Sequence, residues 1–513
     1  MTQQVNKTGI VLAGLLLAIL MASMDNTIVA TAMGTIVGQL GGLDKFVWVT
    51  SAYMVAEMAG MPIFGKLSDM YGRKRFFVFG IIVFMLGSAL CGMAESIVQL
   101  SIYRAIQGIG AGAMVPITFA IMFDAVPVEN RGKLSGLFGA VFGMSSIFGP
   151  LLGAYITDYV SWHWIFYLNL PLGLLSLFFV AVYYRESLQH ARQRIDWPGA
   201  ATLVGAIVCL MFAMELGGRT YAWSSAPILG LFSGFAILAV LFLLAEKRAE
   251  EPIISFAMFR SRLYATSNLM AIFSGAAFVI ASVYIPIFIQ GVLGGSATNS
   301  GLVLLPMMVG SVVTATAGGF LIQRVSYRAV MIPTLALLVL GLALLSTLSP
   351  DSSRMTITGY MILVGLGIGA SFSVLSNAAI HGFSARQRGA ASSTLNFLRS
   401  LGMTIGITVF GIIQSHSLTQ KLTSMGNGAS AGSQELLFGD AHALLDPVTR
   451  SRMPEQALQT ITDGLASSIA MTFAWGILPA VLALGTALVM TRDKLVSVAE
   501  PEDGAPEYAA STH

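Results

Sequence analysis

An all-α integral membrane fold is what this sequence predicts, and three observations predict it. Of 513 residues, 55% are hydrophobic and only 10% are charged, against about 25% charged in a soluble domain. The mean hydropathy is +0.77. Apolar runs of about twenty residues, the length a helix needs to cross a bilayer, recur along most of the chain. Between these runs lysine and arginine collect on alternate flanks. A barrel would need short segments of alternating polarity, and the apolar runs do not alternate in this way.

Fourteen spans follow, at 10–33, 46–67, 76–94, 98–122, 132–157, 162–184, 198–216, 226–245, 264–290, 299–322, 327–348, 355–379, 388–414 and 466–490. Span 1 is too long for a signal-peptide core and holds Asp25, so it is read as retained. Twenty of the 28 basic residues fall on one set of flanks, including Lys66, Arg73, Lys74, Arg75, Arg131, Arg324 and Arg388. Six fall on the other, and Arg104 and Arg399 lie inside spans. The positive-inside rule then places the larger set, and both termini, in the cytoplasm. In span 5, Pro150 removes a backbone hydrogen bond and bends the helix. Residues 415–465 form a long outer loop, and the Pro/Ala-rich tail at 495–513 reads as disordered. Cys91 and Cys209 each lie in an apolar run and read as packing thiols.

The chain also repeats itself. Gly108, Gly110 and Gly112 in span 4 match Gly365, Gly367 and Gly369 in span 12 at an offset of 257. The same offset relates Arg131-Gly132 to Arg388-Gly389 and Gly149 to Gly406. It equates spans 1–6 with spans 9–14 in the same orientation. The expected organisation is a six-helix bundle at 1–190, two inserted spans at 191–255 and a second six-helix bundle at 256–494. Parallel duplication of this kind places a substrate site between the halves, near the bilayer midplane. The repeat is unequal, because the offset carries Arg104 to Met361 and Asp124 to His381.

Charged residues inside the spans are the candidates for chemistry. A charge in hydrocarbon costs at least ~2.5 kcal/mol and almost always faces a polar interior. Asp25 falls roughly 12 Å from the outer end of its span and Arg104 roughly 9 Å from the outer end of its own, so they can meet. Glu57 lies roughly 16 Å deep, near the midplane. Asp25, Glu57 and Arg104 are the candidates for proton coupling. Glu215, beside Gly217-Gly218, reads as a surface residue, and Arg399 has no acid in spans 9–14. Asn26, Tyr53, Gln107, Asn169, Asn268, Tyr284, Asn377, Asn396 and Arg399 are candidate lining residues of a substrate cavity. No His/Cys cluster suggests a metal, and Gly108-Ile109-Gly110 lies inside a helix and is no nucleotide loop.

The segment Gly65-Lys66-Leu67-Ser68-Asp69-Met70-Tyr71-Gly72-Arg73 between spans 2 and 3 resembles the signature loop of the major facilitator superfamily. A reduced copy, Gly319 to Arg324, follows span 10 at an offset of 254. Arg104-Ala105-Ile106-Gln107-Gly108, Gly149-Pro150-Leu151-Leu152-Gly153 and Asp25-Asn26-Thr27 resemble motifs of its fourteen-span drug:proton antiporters. Trp162 to Asn169 and Asn396 to Gly402 are similar to stretches of the same branch. The resemblance implies two six-helix bundles with two inserted helices, working as a proton-coupled multidrug exporter in the cell membrane by alternating access. Gly65, Asp69, Gly72, Arg73, Gly149 and Pro150 are then conformational motifs. The implied partners are drugs, protons and the lipid bilayer, with no nucleic acid and no cofactor, and with a monomeric transport unit. The alternative is a proton-coupled transporter of one metabolite. No nucleophile–base set and no ATP-binding segment supports an enzyme or a primary pump.

Overall fold

The structure, a computed structural model, describes residues 2–40, 47–126, 137, 141, 144–145, 148–149, 151–153, 155–157, 159–186, 196–218, 221–295, 297–384, 387–425 and 455–494. Spans 1 to 4 are helices Thr2–Leu40, Val47–Tyr71, Arg73–Cys91 and Ile97–Ala125. Span 6 is His163–Tyr167 followed by Asn169–Tyr183. The inserted spans 7 and 8 are Trp197–Leu216 and Ala226–Arg248. Spans 9 to 14 are Arg262–Ile287 continued by a π-turn at Phe288–Val292, Ala297–Leu321, Tyr327–Leu345, Arg354–Ile380, Arg388–Met425 and Glu455–Val489. Among the described residues, 12 helices are long and apolar enough to cross a membrane. Span 2, which carries Glu57, Lys66 and Asp69, is not among them. Span 5 is described only at scattered helical residues.

Local chemistry sets the helix starts. Ser96, Asp196, Ser261, Ser326 and Ser353 each accept a hydrogen bond from the backbone N–H three residues later, at 3.3, 2.9, 3.4, 3.3 and 3.1 Å. A side-chain oxygen at this position satisfies an N–H that the helix cannot. Between spans 2 and 3 the chain turns at Gly72, whose φ of 113° is a conformation open to glycine and rarely to other residues.

Three lengths differ from the sequence expectation. Span 13 runs to Met425 and span 14 starts at Glu455, so the expected outer loop at 415–465 is helical at both ends. Hydropathy marks only the part of a helix that lies in hydrocarbon. From Ile412 to Met425 no glycine or proline intervenes, and the backbone stays helical through Met425. Span 6 is interrupted at Leu168, because Pro171 has no N–H to offer the carbonyl of Tyr167. Span 1 extends from Thr2 to Leu40, well beyond 10–33. Loop residues 426–454 and the tail at 495–513 lie outside the described residues.

The packing is duplicated. Span 4 packs on spans 2 and 3, and span 1 on spans 4 and 6. Likewise span 12 packs on spans 10 and 11, and span 9 on spans 12 and 14. The glycine stripes show how close the match is. A methyl group at Gly108 would overlap the carbonyl oxygen of Tyr53, and one at Gly365 that of Met307. Gly110 abuts the backbone N of Phe84, and Gly367 that of Leu338. Gly112 meets the carbonyl of Glu57, and Gly369 that of Ser311. Each partner pair is separated by the offset of 254 found between the two copies of the loop motif. Small residues let membrane helices approach to backbone contact, where dispersion and Cα–H···O contacts hold them.

Spans 7 and 8 pack on each other, and span 7 also packs on span 2. Span 8 is exposed along most of its length. Across the two halves, span 13 lies against spans 2 and 4. Cys91 and Cys209 are free thiols.

Candidate functional site

Four helices bring a buried ion pair together inside the first half. Asp25 of span 1 is 2% exposed and Arg104 of span 4 is 0% exposed. Arg104 Nη1 donates to Asp25 Oδ2. Gln107 Nε2 and Asn169 Nδ2 each donate to Asp25 Oδ1 at 2.8 Å. Four of the guanidinium's five N–H groups are engaged. Its Nε donates to the Val49 carbonyl at 3.2 Å, Nη1 to Gln107 Oε1 at 2.9 Å and Nη2 to Asn26 Oδ1 at 3.3 Å. The Tyr53 ring lies 4.1 Å from the guanidinium carbon, a cation–π contact. A second layer holds the first, with Asn169 Nδ2 donating to Ser88 Oγ at 3.0 Å and Ser88 Oγ to the Phe166 carbonyl at 2.8 Å. Asn26, Tyr53, Gln107 and Asn169, expected as cavity-lining residues, thus belong to one network with Asp25 and Arg104.

The spacing explains the meeting. Arg104 and Gln107 are three residues apart and share a helix face. The Gly108–Gly112 stripe draws span 2 against span 4, which brings the Tyr53 ring under the guanidinium. A buried pair of this kind is costly to break, because removing one partner strands the other charge.

Glu57 lies one helical turn beyond Tyr53 on span 2. It is partly exposed and makes no hydrogen bond or ion pair among the described residues. Glu215 is half-buried near the end of span 7.

At the arginine-rich end, Asp69 (7% exposed) does two things at once. It accepts from Arg73 Nη2 at 2.9 Å within its own loop. It also accepts from the backbone N–H groups of Gly389 and Ala390, at 3.1 and 2.7 Å, at the start of span 13. Helix starts carry unpaired N–H groups and partial positive charge, so a carboxylate there is favourable. Arg73 Nη1 reaches the Ala120 carbonyl at 3.1 Å, and its backbone N donates to Glu186 Oε1 at 2.6 Å. Gly65 faces Ser393 so closely that a methyl group would collide with it. Further along, Thr404 Oγ1 donates to Met58 Sδ at 3.7 Å. Spans 2 and 13 therefore form a continuous seam between the halves.

Gly149 of span 5 lies against Thr27 and the Met24 carbonyl of span 1. Pro150 and most of span 5 lie outside the described residues.

The second half is built differently. Asn268 Nδ2 donates to Tyr264 O at 2.9 Å, Asn377 Nδ2 to Ser373 O at 2.7 Å and Asn396 Nδ2 to Ser392 O at 3.0 Å. All three bond to their own helix. Tyr284 is buried, and a methyl group added at Gly411 would lie 3.7 Å from its hydroxyl. Arg399 is 8% exposed; it donates to Asn396 Oδ1 at 3.3 Å and to the Ser371 carbonyl at 3.2 Å, with the Phe372 ring 5.0 Å away. Beyond the end of span 12, His381 takes the position of Asp124. Its Nδ1 lies 3.2 Å from the Tyr327 hydroxyl, and burial pushes the imidazole below its ordinary pKa.

One group was missed from sequence. Glu246, at the end of span 8, is 3% exposed, and its Oε1 accepts from the Ile253 N–H at 3.1 Å. Nearby, Lys66 of span 2 pairs with Glu251 at 2.5 Å. Both acids sit in the run Ala245-Glu246-Lys247-Arg248-Ala249-Glu250-Glu251, which reads as ordinary interfacial charge. The chain doubles back after span 8, and nothing in the residue order announces that.

Residues 15–407 match the model of the Major Facilitator Superfamily. "Multidrug resistance protein 3" of Bacillus subtilis (strain 168) is 53% identical over 496 residues, 96% of this chain and 97% of that protein. "Multidrug transporter protein MdtP" of the same organism is 37% identical over 81% of this chain and 78% of that protein. Among solved structures, the human organic anion transporter MFSD10 aligns over 93% of this chain and 99% of its own, with a TM-score of 0.58 at 16% identity. A bacterial homologue of the human lysosomal transporter Spinster aligns over 96% of this chain and 99% of its own, with a TM-score of 0.57 at 15% identity.

Proposed function

The chain belongs to the Major Facilitator Superfamily, and from that premise we propose that it exports drugs across the cell membrane in exchange for protons. It is a multi-pass membrane protein and a multidrug efflux transporter, not an enzyme. The proton as driving ion, the cationic and apolar character of the drugs, and a cytoplasmic location for both termini are our reading.

The observation that carries the reading is the buried Asp25–Arg104 pair, with the carboxyl of Glu57, unpaired among the described residues, one turn beyond Tyr53. A proton arriving from outside neutralises Asp25 or Glu57. Neutral Asp25 no longer compensates Arg104, so the arrangement around the cation changes in free energy. A shift of even ~1.4 kcal/mol changes the balance between two conformations tenfold. A cationic drug competes for the same carboxylates, so proton and drug bind alternately. The Asp69–span 13 bonds hold the seam shut at the arginine-rich end, and their loss opens the cavity to that side. Rocking of one half against the other then exchanges the two.

The test uses membrane vesicles holding an acidic lumen and a pH-sensitive dye. Adding drug to the side that bears the termini discharges the gradient as protons leave and drug enters. Asp25→Asn and Glu57→Gln each reduce the discharge. Unchanged discharge in both variants would falsify the assignment of the proton to these acids.

A further inference from the structure

Arg399 is a buried guanidinium that the exchange mechanism does not use. Arg104 spends its donors on a carboxylate, two carboxamides and a carbonyl. Of the five N–H groups of an arginine, Arg399 engages one on Asn396 and one on the Ser371 carbonyl. Both partners are neutral. No carboxylate pairs with it among the described residues, and spans 9–14 contain no acid before Glu455, far along the chain.

An uncompensated cation in a low-dielectric interior costs several kcal/mol. The residues that touch it are uncharged, and one of them keeps an unused hydroxyl. Ser371 gives its carbonyl to Arg399, while its own Oγ is buried without a hydrogen-bond partner. The same is true of Ser392 Oγ, about two turns before Arg399 on span 13. Phe372 supplies a flat apolar wall. A guanidinium with spare donors, free hydroxyls and an aromatic face is a complement for a carboxylate on an apolar body. The offset of 257 puts Phe142 at the equivalent position in the first half, so the cation is not a relic of the duplication.

We propose that Arg399 binds an anionic group of the exported compound. The transporter then takes amphoteric drugs, with the cationic end on the acids of the first half and the anionic end on span 13. This inference rests on the export reading above.

A matched pair of substrates tests it: a rhodamine free acid, which carries a carboxylate, and its methyl ester, which does not. Export of both is followed by fluorescence in vesicles containing the full-length chain. Wild type exports both. Arg399→Gln lowers export of the free acid by about tenfold, the discrimination one lost charge-assisted contact commonly produces, and leaves the ester within about twofold. Arg399→Lys keeps the charge and loses the fork, so free-acid export falls less than in Arg399→Gln and the ester is unaffected. Equal loss of both dyes in Arg399→Lys, with normal size-exclusion behaviour, overturns the proposal in favour of a structural clamp. Export of the ester alone by wild type also overturns it, as does indifference of both dyes to both variants. Failure of wild type to move either dye or to discharge a proton gradient overturns the export reading instead.

Discussion

Span 4 meets spans 2 and 3 as span 12 meets spans 10 and 11, down to which carbonyl faces which glycine. The polar contents of the two halves nevertheless diverge. Where the first half buries Arg104 on Asp25, the second has Met361. Where Glu57 turns its carbonyl to Gly112, Ser311 does the same to Gly369. The second half carries its own cation, Arg399, at a position held by phenylalanine in the first. Backbone packing and ionisable chemistry have thus been kept apart in this molecule. Glycines on one helix face preserve the helix approach, while the residues between them are free to change.

The comparison can be broken most severely at the ion pair. Asp25→Asn strands Arg104, at a cost of about 3–5 kcal/mol of stability, and lowers proton-coupled export at least tenfold in reconstituted vesicles. Adding Arg104→Met, the residue of the second half, recovers the melting temperature but not the coupling. Recovery of coupling would show that the pair serves folding alone.

A smaller effect tests the shared packing. Gly108→Ala and Gly365→Ala each overpack a backbone contact and cost about 1–3 kcal/mol, visible as matched falls in melting temperature. Gly359→Ala, with nothing within 4 Å of the added methyl, is neutral or stabilises by ~0.5–1 kcal/mol. A harmless Gly365→Ala beside a damaging Gly108→Ala would mean that the halves do not share this contact.

The seam ranks next. Asp69→Asn weakens two helix-start hydrogen bonds and one ion pair, worth about 1 kcal/mol for the cap. Spin-label distances between spans 2 and 13 then show a severalfold gain in the separated population at the arginine-rich end. Smallest of all is Lys66→Gln. Its half-exposed pair with Glu251 contributes about 0–1 kcal/mol, and thermal scans together with drug flux stay near wild type.

Much of this was legible in residue order. Asp25 and Arg104 stood out because hydrocarbon makes any charge conspicuous, and helix rise placed both at similar depths. The duplication was legible because three glycines at i, i+2 and i+4 recur at a constant offset. Less was visible where a residue's role depends on a distant partner. Asp69 stood out only as part of a loop motif, and the packing gives it two partners, Arg73 and the start of span 13. Asn26, Gln107 and Asn169 read as lining residues; only the packing shows that Gln107 and Asn169 donate to Asp25 and that Asn26 accepts from Arg104. Glu246 passed as interfacial charge, because its burial comes from the turn of chain after span 8.

By itself the residue order determined the membrane class, the repeat and which charges lie at depth. Each follows from a local cost, that of a polar group in hydrocarbon or of a side chain between close helices. Tertiary structure decided the pairings: Asp25 with Arg104, Asp69 with the start of span 13, and Arg399 with no acid among the described residues. Pairing energies fall off within a few ångströms, and only the packing of one helix against another sets which groups come that near.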